Sequence, residues 1–208
     1  MNLQNYYYYF KSAITPRFCD ELIKYGKSKS DGLALTGNAQ NKKLDKKAIK
    51  DLKKKRDSNI VWLDERWIYK EIQPYVHRAN QEAGWNFQWD FSEPCQFTKY
   101  KKGQYYGWHC DSWDQPYQRQ QGDPTHGKTR KLSVTVTLSD PKDYKGGELE
   151  FDFKNRDPDK KPNIKKCTEI LPRGSIIVFP SHVWHRVKPV TKGTRYSLVM
   201  WNLGYPFK

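Results

Sequence analysis

The second half of the chain is a succession of short segments in which polar and apolar residues alternate. From Trp85 onward, stretches such as CQFTKY, KLSVTVTLS and SIIVFP follow one another, and glycines such as Gly103, Gly174 and Gly193 separate them. Alternation places successive side chains on opposite faces of a strand. Many short strands with regular turns indicate a sandwich or a barrel, so the expected fold is mainly β.

The first 84 residues show the period of helices instead. Thr15 followed by Pro16 is a helix start. Residues 64–83, DERWIYKEIQPYVHRANQEA, carry an apolar stripe that ends before Gly84. We therefore expect residues 1–84 to form a helical support region packed on a core of residues 85–208, with both in one structural domain. A chain of 208 residues is long enough for that core.

The composition excludes several classes of protein. Hydrophobic residues make up 36% of the chain and aromatic residues 15%, too much for a disordered chain. The first residues, MNLQNYYYYFKSAI, contain no charged leader followed by an apolar stretch, so we expect no secretory signal here, and no apolar run is long enough to span a membrane. We expect a cytoplasmic protein with no membrane partner. The four cysteines occur singly, which indicates free thiols in a reducing compartment: Cys19, Cys95, Cys110 and Cys167.

The net charge of +15 has two interpretations, a solvated basic surface or attraction to an acidic partner. The most basic stretch is residues 42–56, KKLDKKAIKDLKKKR, in which Leu44, Ala48 and Leu52 recur every four residues. An amphipathic or partly ordered surface helix is favoured there over a nucleic-acid patch. The reason is that the stretch contains no aromatic side chain on which a base could stack.

A histidine and an aspartate two positions apart raise the question of a metal site. His109 and Asp111 in YYGWHCDSW share one face of a predicted strand, and buried ionisable groups need a compensating partner. The other candidate ligands are His126, in a polar loop, and His182 and His185 in FPSHVWHRVKPV. Two histidines and one carboxylate are the facial triad of non-haem iron(II) enzymes.

Two further features suit a ligand-binding cavity. Arg195 lies ten residues after His185, on the next predicted strand, and a turn between adjacent strands would bring it back toward the site. Its guanidinium is suited to two-point binding of a carboxylate. Ser133, Thr135 and Thr137 share one face of another strand, and such a hydroxyl face needs a polar cavity to satisfy it.

Three motifs occur in a specific order: GQYYGWHCD, LSDPKDYKGGELEF and LPRGSIIVFPSHVWHRVKPVTKGTRYSLVMW. Together they resemble the iron(II)- and 2-oxoglutarate-dependent dioxygenases of the prolyl 4-hydroxylase type, most closely the bacterial and phage PKHD-type hydroxylases. The resemblance covers residues 96–204, with a weaker similarity in RDSNIVWL at 56–63. It implies a double-stranded β-helix core, the jelly-roll or cupin-like fold.

The resemblance also implies roles for individual residues. It makes His109, Asp111 and His185 the iron ligands, since His185 fits H-x-V-x-P-V and His182 does not. Arg195 would complete the catalytic set by binding the distal carboxylate of 2-oxoglutarate, where many prolyl 4-hydroxylases have lysine.

Two more positions are implied to contact this cosubstrate, Tyr100 and Thr137. One position departs from the pattern. Leu149 follows Gly-Gly-Glu, where several prolyl 4-hydroxylases have threonine.

The implied reaction is hydroxylation of a substrate coupled to conversion of 2-oxoglutarate and O2 into succinate and CO2, with Fe(II) as cofactor and ascorbate as reductant. A prolyl residue in a protein or peptide is the expected acceptor, and residues 112–130 are a lid, a substrate-binding loop or a disordered excursion. Oxidation of a nucleobase or a small molecule is one alternative. Nucleic-acid demethylases of this superfamily carry a second arginine that does not follow Arg195 here. A non-catalytic metal-binding β-barrel is the other, and the oligomeric state is left open.

Overall fold

The computed structural model describes residues 2–34, 45–153 and 161–206. Its helices are α1 Pro16–Ser28, α2 Lys46–Lys55 and α3 Arg66–Glu82. Its strands are β1 Tyr8–Phe10, β2 Gly32–Leu33, β3 Arg56–Asp57, β4 Asn59–Leu63, β5 Phe91–Ser92, β6 Cys95–Lys101, β7 Tyr105–His109, β8 Thr129–Thr137, β9 Tyr144–Gly146, β10 Leu149–Asp152, β11 Ile164–Lys166, β12 Ile176–Pro180, β13 Trp184–Val187 and β14 Val190–Gly204. No helix in these ranges is long and apolar enough to cross a membrane.

The strands form two antiparallel sheets. The major sheet has the order β1-β12-β8-β14-β6-β4-β2, with β5 and β9 pairing with β14. The minor sheet has the order β11-β10-β13-β7-β3. Two facing antiparallel sheets with N-terminal helices confirm the mainly β fold expected of a double-stranded β-helix.

Helices α1 and α3 pack on the aliphatic face of the major sheet. Leu22 of α1 and Ile68 and Ile72 of α3 belong to one buried cluster with Val134 and Val136 of β8. The Thr15 hydroxyl caps α1 by accepting a hydrogen bond from the backbone N–H of Phe18. The predicted apolar stripe of α3 is thus confirmed, except that Trp67 remains 37% exposed.

A second buried cluster fills the space between the sheets. Its members come from both layers and include Tyr100 of β6, Phe151 of β10, Phe179 of β12 and Val187 of β13. No β8 residue belongs to this second cluster. The hydroxyl side chains of β8, Ser133, Thr135 and Thr137, are thus free to line a polar site.

The region before Trp85 contains strands as well as helices. β1 pairs with β12, β4 pairs with β6 and β3 pairs with β7, so this region extends both sheets. These strands have two to five residues, too short for the alternation to be visible in the sequence. The predicted N-terminal helices are present, and the short strands between them were not anticipated from the sequence.

The basic stretch forms the predicted surface helix in its described part but not at its end. Its described part is helical over Lys46–Lys55, whereas Arg56 belongs to β3 and is buried. Asp45 caps this helix by accepting a hydrogen bond from the backbone N–H of Ala48. Leu44 lies outside the described residues.

Candidate metal centre and adjoining cavity

Three of the predicted ligands come together at the end of the minor sheet. β7 and β13 are neighbours, and their register places His109 opposite His185. Asp111 lies two residues beyond His109. The Nε2 atom of His109 is 3.7 Å from one Asp111 carboxylate oxygen, and the Nε2 atom of His185 is 3.6 Å from the other. Ligand atoms of all three residues lie within 4.8 Å of one another.

Both imidazoles are oriented by backbone carbonyls. The Nδ1 atom of His109 is 2.8 Å from the carbonyl oxygen of Gly107, and that of His185 is 3.0 Å from the carbonyl oxygen of Val183. A carbonyl oxygen only accepts hydrogen bonds, so each Nδ1 carries the proton and donates it. Each Nε2 is therefore left with a free lone pair, the form in which histidine binds a metal.

The carboxylate of Asp111 is held by the hydroxyl face of β8. Ser133 Oγ donates a hydrogen bond of 2.7 Å to Asp111 Oδ2, and Ser181 Oγ lies 2.9 Å from Ser133 Oγ. The Asp111 backbone N–H donates to the carbonyl oxygen of Ser181. The alternating hydroxyl groups of β8 thus include a support for the candidate ligand.

The electrostatics of the site favour protonation states that bind metal. Burial, reinforced by the neighbouring His185, lowers the pKa of His109 to about 3, so this imidazole is neutral at pH 7. Burial alone would raise the pKa of Asp111, but the adjacent His185 and His109 outweigh it and lower that pKa to about 2. The site therefore presents the carboxylate of Asp111 beside the neutral imidazole of His109.

Aromatic rings enclose the two histidines. The Tyr106 ring lies parallel to the His109 imidazole, with their centroids 3.5 Å apart. The edge of Phe179 packs on His185 at a centroid distance of 4.8 Å. Such packing fixes the ring planes and excludes water from one side of the centre.

A cavity next to this triad contains a buried arginine. Arg195 is only 2% exposed, and its Nη1 atom donates to Ser197 Oγ at 3.2 Å. Its guanidinium lies 5.6 Å from the centroid of the Tyr100 ring. Within residues 2–34, 45–153 and 161–206, no carboxylate forms an ion pair with it. A buried cation without a counter-ion is costly, so this cavity is suited to an anion.

The predicted cosubstrate positions fall at different depths. Tyr100, Arg195 and Leu149 line the cavity together with the triad. Thr135 lines it as well, whereas Thr137 lies one step farther along β8, paired with Ser197 of β14. The buried Thr137 hydroxyl has no hydrogen-bond partner among the described residues.

The residues present fit an iron(II) ion and a 2-oxo dicarboxylate. Two imidazoles and one carboxylate leave half of an octahedral coordination sphere free, whereas a structural zinc site is closed and usually contains cysteine. The buried Arg195 guanidinium, which has no carboxylate partner among the described residues, is available to a carboxylate of such a ligand.

The family model described as the 2OG-Fe(II) oxygenase superfamily matches residues 95–202, which is more than half of the chain. The chain belongs to this superfamily. The match contains His109, Asp111, His185 and Arg195, the residues that the structure gathers in and around the cavity.

Individual relatives of the chain are named as hydroxylases. A PKHD-type hydroxylase of Xanthomonas campestris pv. campestris is 35% identical over 108 residues, covering 52% of this chain and 42% of the relative. The match thus spans less than half the length of that relative.

Solved structures show the same fold. The viral collagen prolyl hydroxylase of Paramecium Bursaria Chlorella virus-1, in a 2OG complex, has a TM-score of 0.63 and 20% identity over 97% of each chain. A prolyl hydroxylase of Trichoplax adhaerens, in complex with a hypoxia inducible factor peptide fragment, has a TM-score of 0.63 and 19% identity. That match covers 96% of this chain and 84% of the other.

The two other candidate histidines, His182 and His126, do not belong to the triad. His182 is exposed to solvent. His126 is exposed in the loop, where its Nδ1 atom is 2.6 Å from the carbonyl oxygen of Arg119.

Arg195 reaches the cavity through a strand connection that differs from the predicted hairpin. β13 and β14 do not pair as neighbours, because residues 188–189 carry the chain from the minor sheet to the major sheet.

Sequence reasoning missed a second arginine in the cavity, Arg56. Arg56 donates to Gln96 Oε1 at 2.6 Å and to Ser58 Oγ at 2.9 Å, and its guanidinium lies 4.4 Å from the centroid of the Tyr106 ring. The available signal was the weak similarity in RDSNIVWL, which begins at this residue. Arg56 was instead interpreted as a surface residue, because it is the last residue of the lysine-rich stretch 42–56.

An open cleft of about 920 Å³ adjoins the cavity, and the loop of residues 112–130 forms one wall. Tyr117 donates to Glu93 Oε1 at 2.8 Å, and Arg130 donates to Glu93 Oε2 at 2.9 and 2.6 Å. The Arg130 guanidinium also lies 3.9 Å from the centroid of the Trp201 ring, which lines the cavity. The loop is therefore tied to the cavity wall.

Proposed function

We propose that the protein is an iron(II)- and 2-oxoglutarate-dependent hydroxylase that acts on a prolyl residue of a protein or peptide. One observation carries the proposal: the open histidine–aspartate–histidine triad lies in the same cavity as a buried arginine with no carboxylate partner among the described residues. The superfamily membership and the prolyl hydroxylases of the same fold support it.

In this proposal His109, Asp111 and His185 hold the iron. Iron(II), with 2-oxoglutarate and O2, supplies an oxidant that inserts one oxygen atom into a C–H bond while the cosubstrate becomes succinate and CO2. The chain's own residues position the reactants and exclude water. The carbonyls of Gly107 and Val183 keep both Nε2 lone pairs available.

Arg195 binds the distal carboxylate of the cosubstrate through its guanidinium. Tyr100, whose ring lies beside that guanidinium, narrows the cavity around the carbon chain. Thr135 is the β8 hydroxyl that lines this cavity, whereas Thr137 lies beyond the lining. Leu149 lines the cavity with an apolar surface in place of a hydroxyl. A bound dicarboxylate thus gives Arg195 its missing counter-ion.

The cleft supports a polypeptide acceptor. Aromatic side chains line it, including Trp62, Phe91 and Trp113, and a volume of about 920 Å³ extends beyond what one amino acid fills. Aromatic clefts bind extended, proline-containing segments well, because such segments lose little conformational entropy. The tie between Arg130 and Trp201 places the cleft beside the cavity.

A coupled assay tests the proposal. Protein with iron(II), 2-oxoglutarate and ascorbate is expected to form succinate and to add one oxygen atom to a proline-containing peptide, as measured by mass spectrometry. Asp111→Ala should abolish both products, whereas His182→Ala, a matched histidine outside the triad, should retain them.

The alternatives give different results in the same assay. Hydroxylation of an oligonucleotide but not of peptides would replace the proposal with nucleobase oxidation. Absence of succinate with every additive, unchanged by Asp111→Ala, would identify a binding module.

A further inference from the structure

Helix α2 presents a lysine-rich face to solvent beside the cavity. Its exposed cationic residues are Lys46, Lys47, Lys50, Lys53, Lys54 and Lys55. The only acidic residue within the helix is Asp51, which forms an ion pair of 2.7 Å with Lys54. We call these six residues the lysine face. It carries a surplus of positive charge that the helix itself does not neutralise.

The helix is attached to the strand that carries a candidate metal ligand. The Tyr105 hydroxyl lies within hydrogen-bond distance of the carbonyl oxygens of Lys53 and Lys54, at 3.0 and 2.9 Å. Gly107 allows close approach, because a Cβ atom there would lie 3.1 Å from the carbonyl oxygen of Lys55. The Gly107 carbonyl in turn orients His109. The lysine face is therefore held at a fixed place relative to the triad.

The chain passes directly from this face into the cavity. Lys55 is exposed, and the next residue, Arg56, is buried and lines the cavity with the triad. A polypeptide with one residue at the triad can thus place neighbouring residues on α2. The ten residues of α2 extend about 15 Å, which an extended chain covers in about five residues.

We propose that the lysine face binds an acidic segment of the polypeptide acceptor, close in sequence to the residue that is hydroxylated. This inference rests on the proposed function. Carboxylates are the partners that exposed ammonium groups take, and no aromatic residue lies within residues 46–55 on which a nucleobase could stack. When the prolyl residue and the acidic segment belong to one chain, binding of the prolyl residue at the triad raises the effective concentration of the acidic segment at the lysine face.

Peptide pairs that differ only in charge test the proposal. The proline-containing acceptor is prepared with five glutamates or five glutamines, placed either before or after the proline. Only one of the two placements can bring the glutamates to α2. For that placement, several exposed ion pairs together are expected to lower the KM of the glutamate peptide about tenfold relative to the glutamine peptide. Screening should remove most of this difference in 0.5 M NaCl.

A charge-matched pair of variants locates the effect. Lys46→Gln, Lys47→Gln and Lys50→Gln are combined in one protein, and Lys142→Gln, Lys145→Gln and Lys192→Gln in the other. All six lysines are exposed. Lys46 and Lys47 lie in the first turn of α2, where a positive charge opposes the helix dipole, so their replacement does not disfavour folding. The glutamate preference should disappear in the first variant and persist in the second.

Fluorescence anisotropy of the labelled peptides, without iron or cosubstrate, gives a readout independent of turnover. Equal affinities for glutamate and glutamine peptides would overturn the proposal. So would an equal loss in both variants, or displacement of the glutamate peptide by an oligonucleotide that itself binds α2 more tightly. If glutamate peptides bind through α2 but no peptide is hydroxylated, the proposed function fails and the docking surface stands.

Discussion

Tyr106 and His109 stack face to face, with their ring planes 12° apart. The other face of Tyr106 is covered by the Arg56 guanidinium, so the phenol ring is held between a cation and an imidazole. A ligand imidazole that is fixed in this way loses little rotational freedom when it binds a metal. The stack therefore acts on the metal centre without touching the metal.

Removal of this stack is expected to weaken metal binding. Tyr106→Leu should raise the dissociation constant for Mn²⁺ about tenfold, because His109 can then turn away from the binding geometry. Titration calorimetry of the apoprotein measures it. Tyr106→Phe keeps the ring and should bind nearly as tightly as the native protein. Equal affinities for the leucine and phenylalanine variants would contradict this role.

Replacement of Arg195 should have opposite effects on binding and on stability. Arg195→Met is expected to weaken 2-oxoglutarate binding more than 100-fold while raising the unfolding free energy of the apoprotein by about 1–2 kcal/mol, since a buried unpaired charge is removed. Calorimetry and urea denaturation measure the two quantities. Arg195→Lys keeps the charge and should retain part of the affinity. An Arg195→Met protein that binds 2-oxoglutarate normally would refute the assignment.

The apoprotein should lose stability as the pH falls below 6.5. The pKa of His109 is lowered from 6.5 to about 3 in the folded protein, so the unfolded chain takes up a proton that the folded protein does not. At pH 5 this difference costs about 2 kcal/mol relative to pH 7. Asp111 does not contribute in this range, because its pKa is lowered below its ordinary 3.8.

Urea denaturation at pH 7 and pH 5, in the presence of a chelator, measures the loss. His109→Gln removes the titrating group, so its loss should be about 2 kcal/mol smaller. The same pH dependence in both proteins would show that His109 is not buried in its neutral form.

The tie between the loop and the cleft wall is expected to contribute to stability. Glu93→Gln removes the charge that compensates Arg130, which is mostly buried, and should lower the unfolding free energy by about 2–4 kcal/mol. Tyr117→Phe removes one hydrogen bond to Glu93 and should cost about 1 kcal/mol. Urea denaturation measures both. Glu82→Gln, in a more exposed pair with Arg78, is the control and should leave the unfolding free energy nearly unchanged.

The sequence was sufficient to predict that His109, Asp111 and His185 come together, because the first two lie two positions apart and the family motif selects His185 over His182. Asp111 nevertheless lies just beyond the strand on which it was expected, since β7 ends at His109.

The sequence did not predict which threonine of β8 lies at the cavity. Thr135 and Thr137 are equivalent by alternation, and only their pairing with β14 puts Thr135 at the cavity. Arg56 was missed because the groups that compensate its burial, Gln96 and Tyr106, are 40 or more residues away in the chain.

The crossing of residues 188–189 from one layer to the other puts the two ends of the cavity in different sheets. His185 belongs to the minor sheet and Arg195 to the major sheet. A small molecule that contacts both ends becomes a cross-tie between the layers, and its binding energy adds to the cohesion of the sandwich. The unfolding temperature should therefore rise with the concentration of the ligand that occupies the cavity.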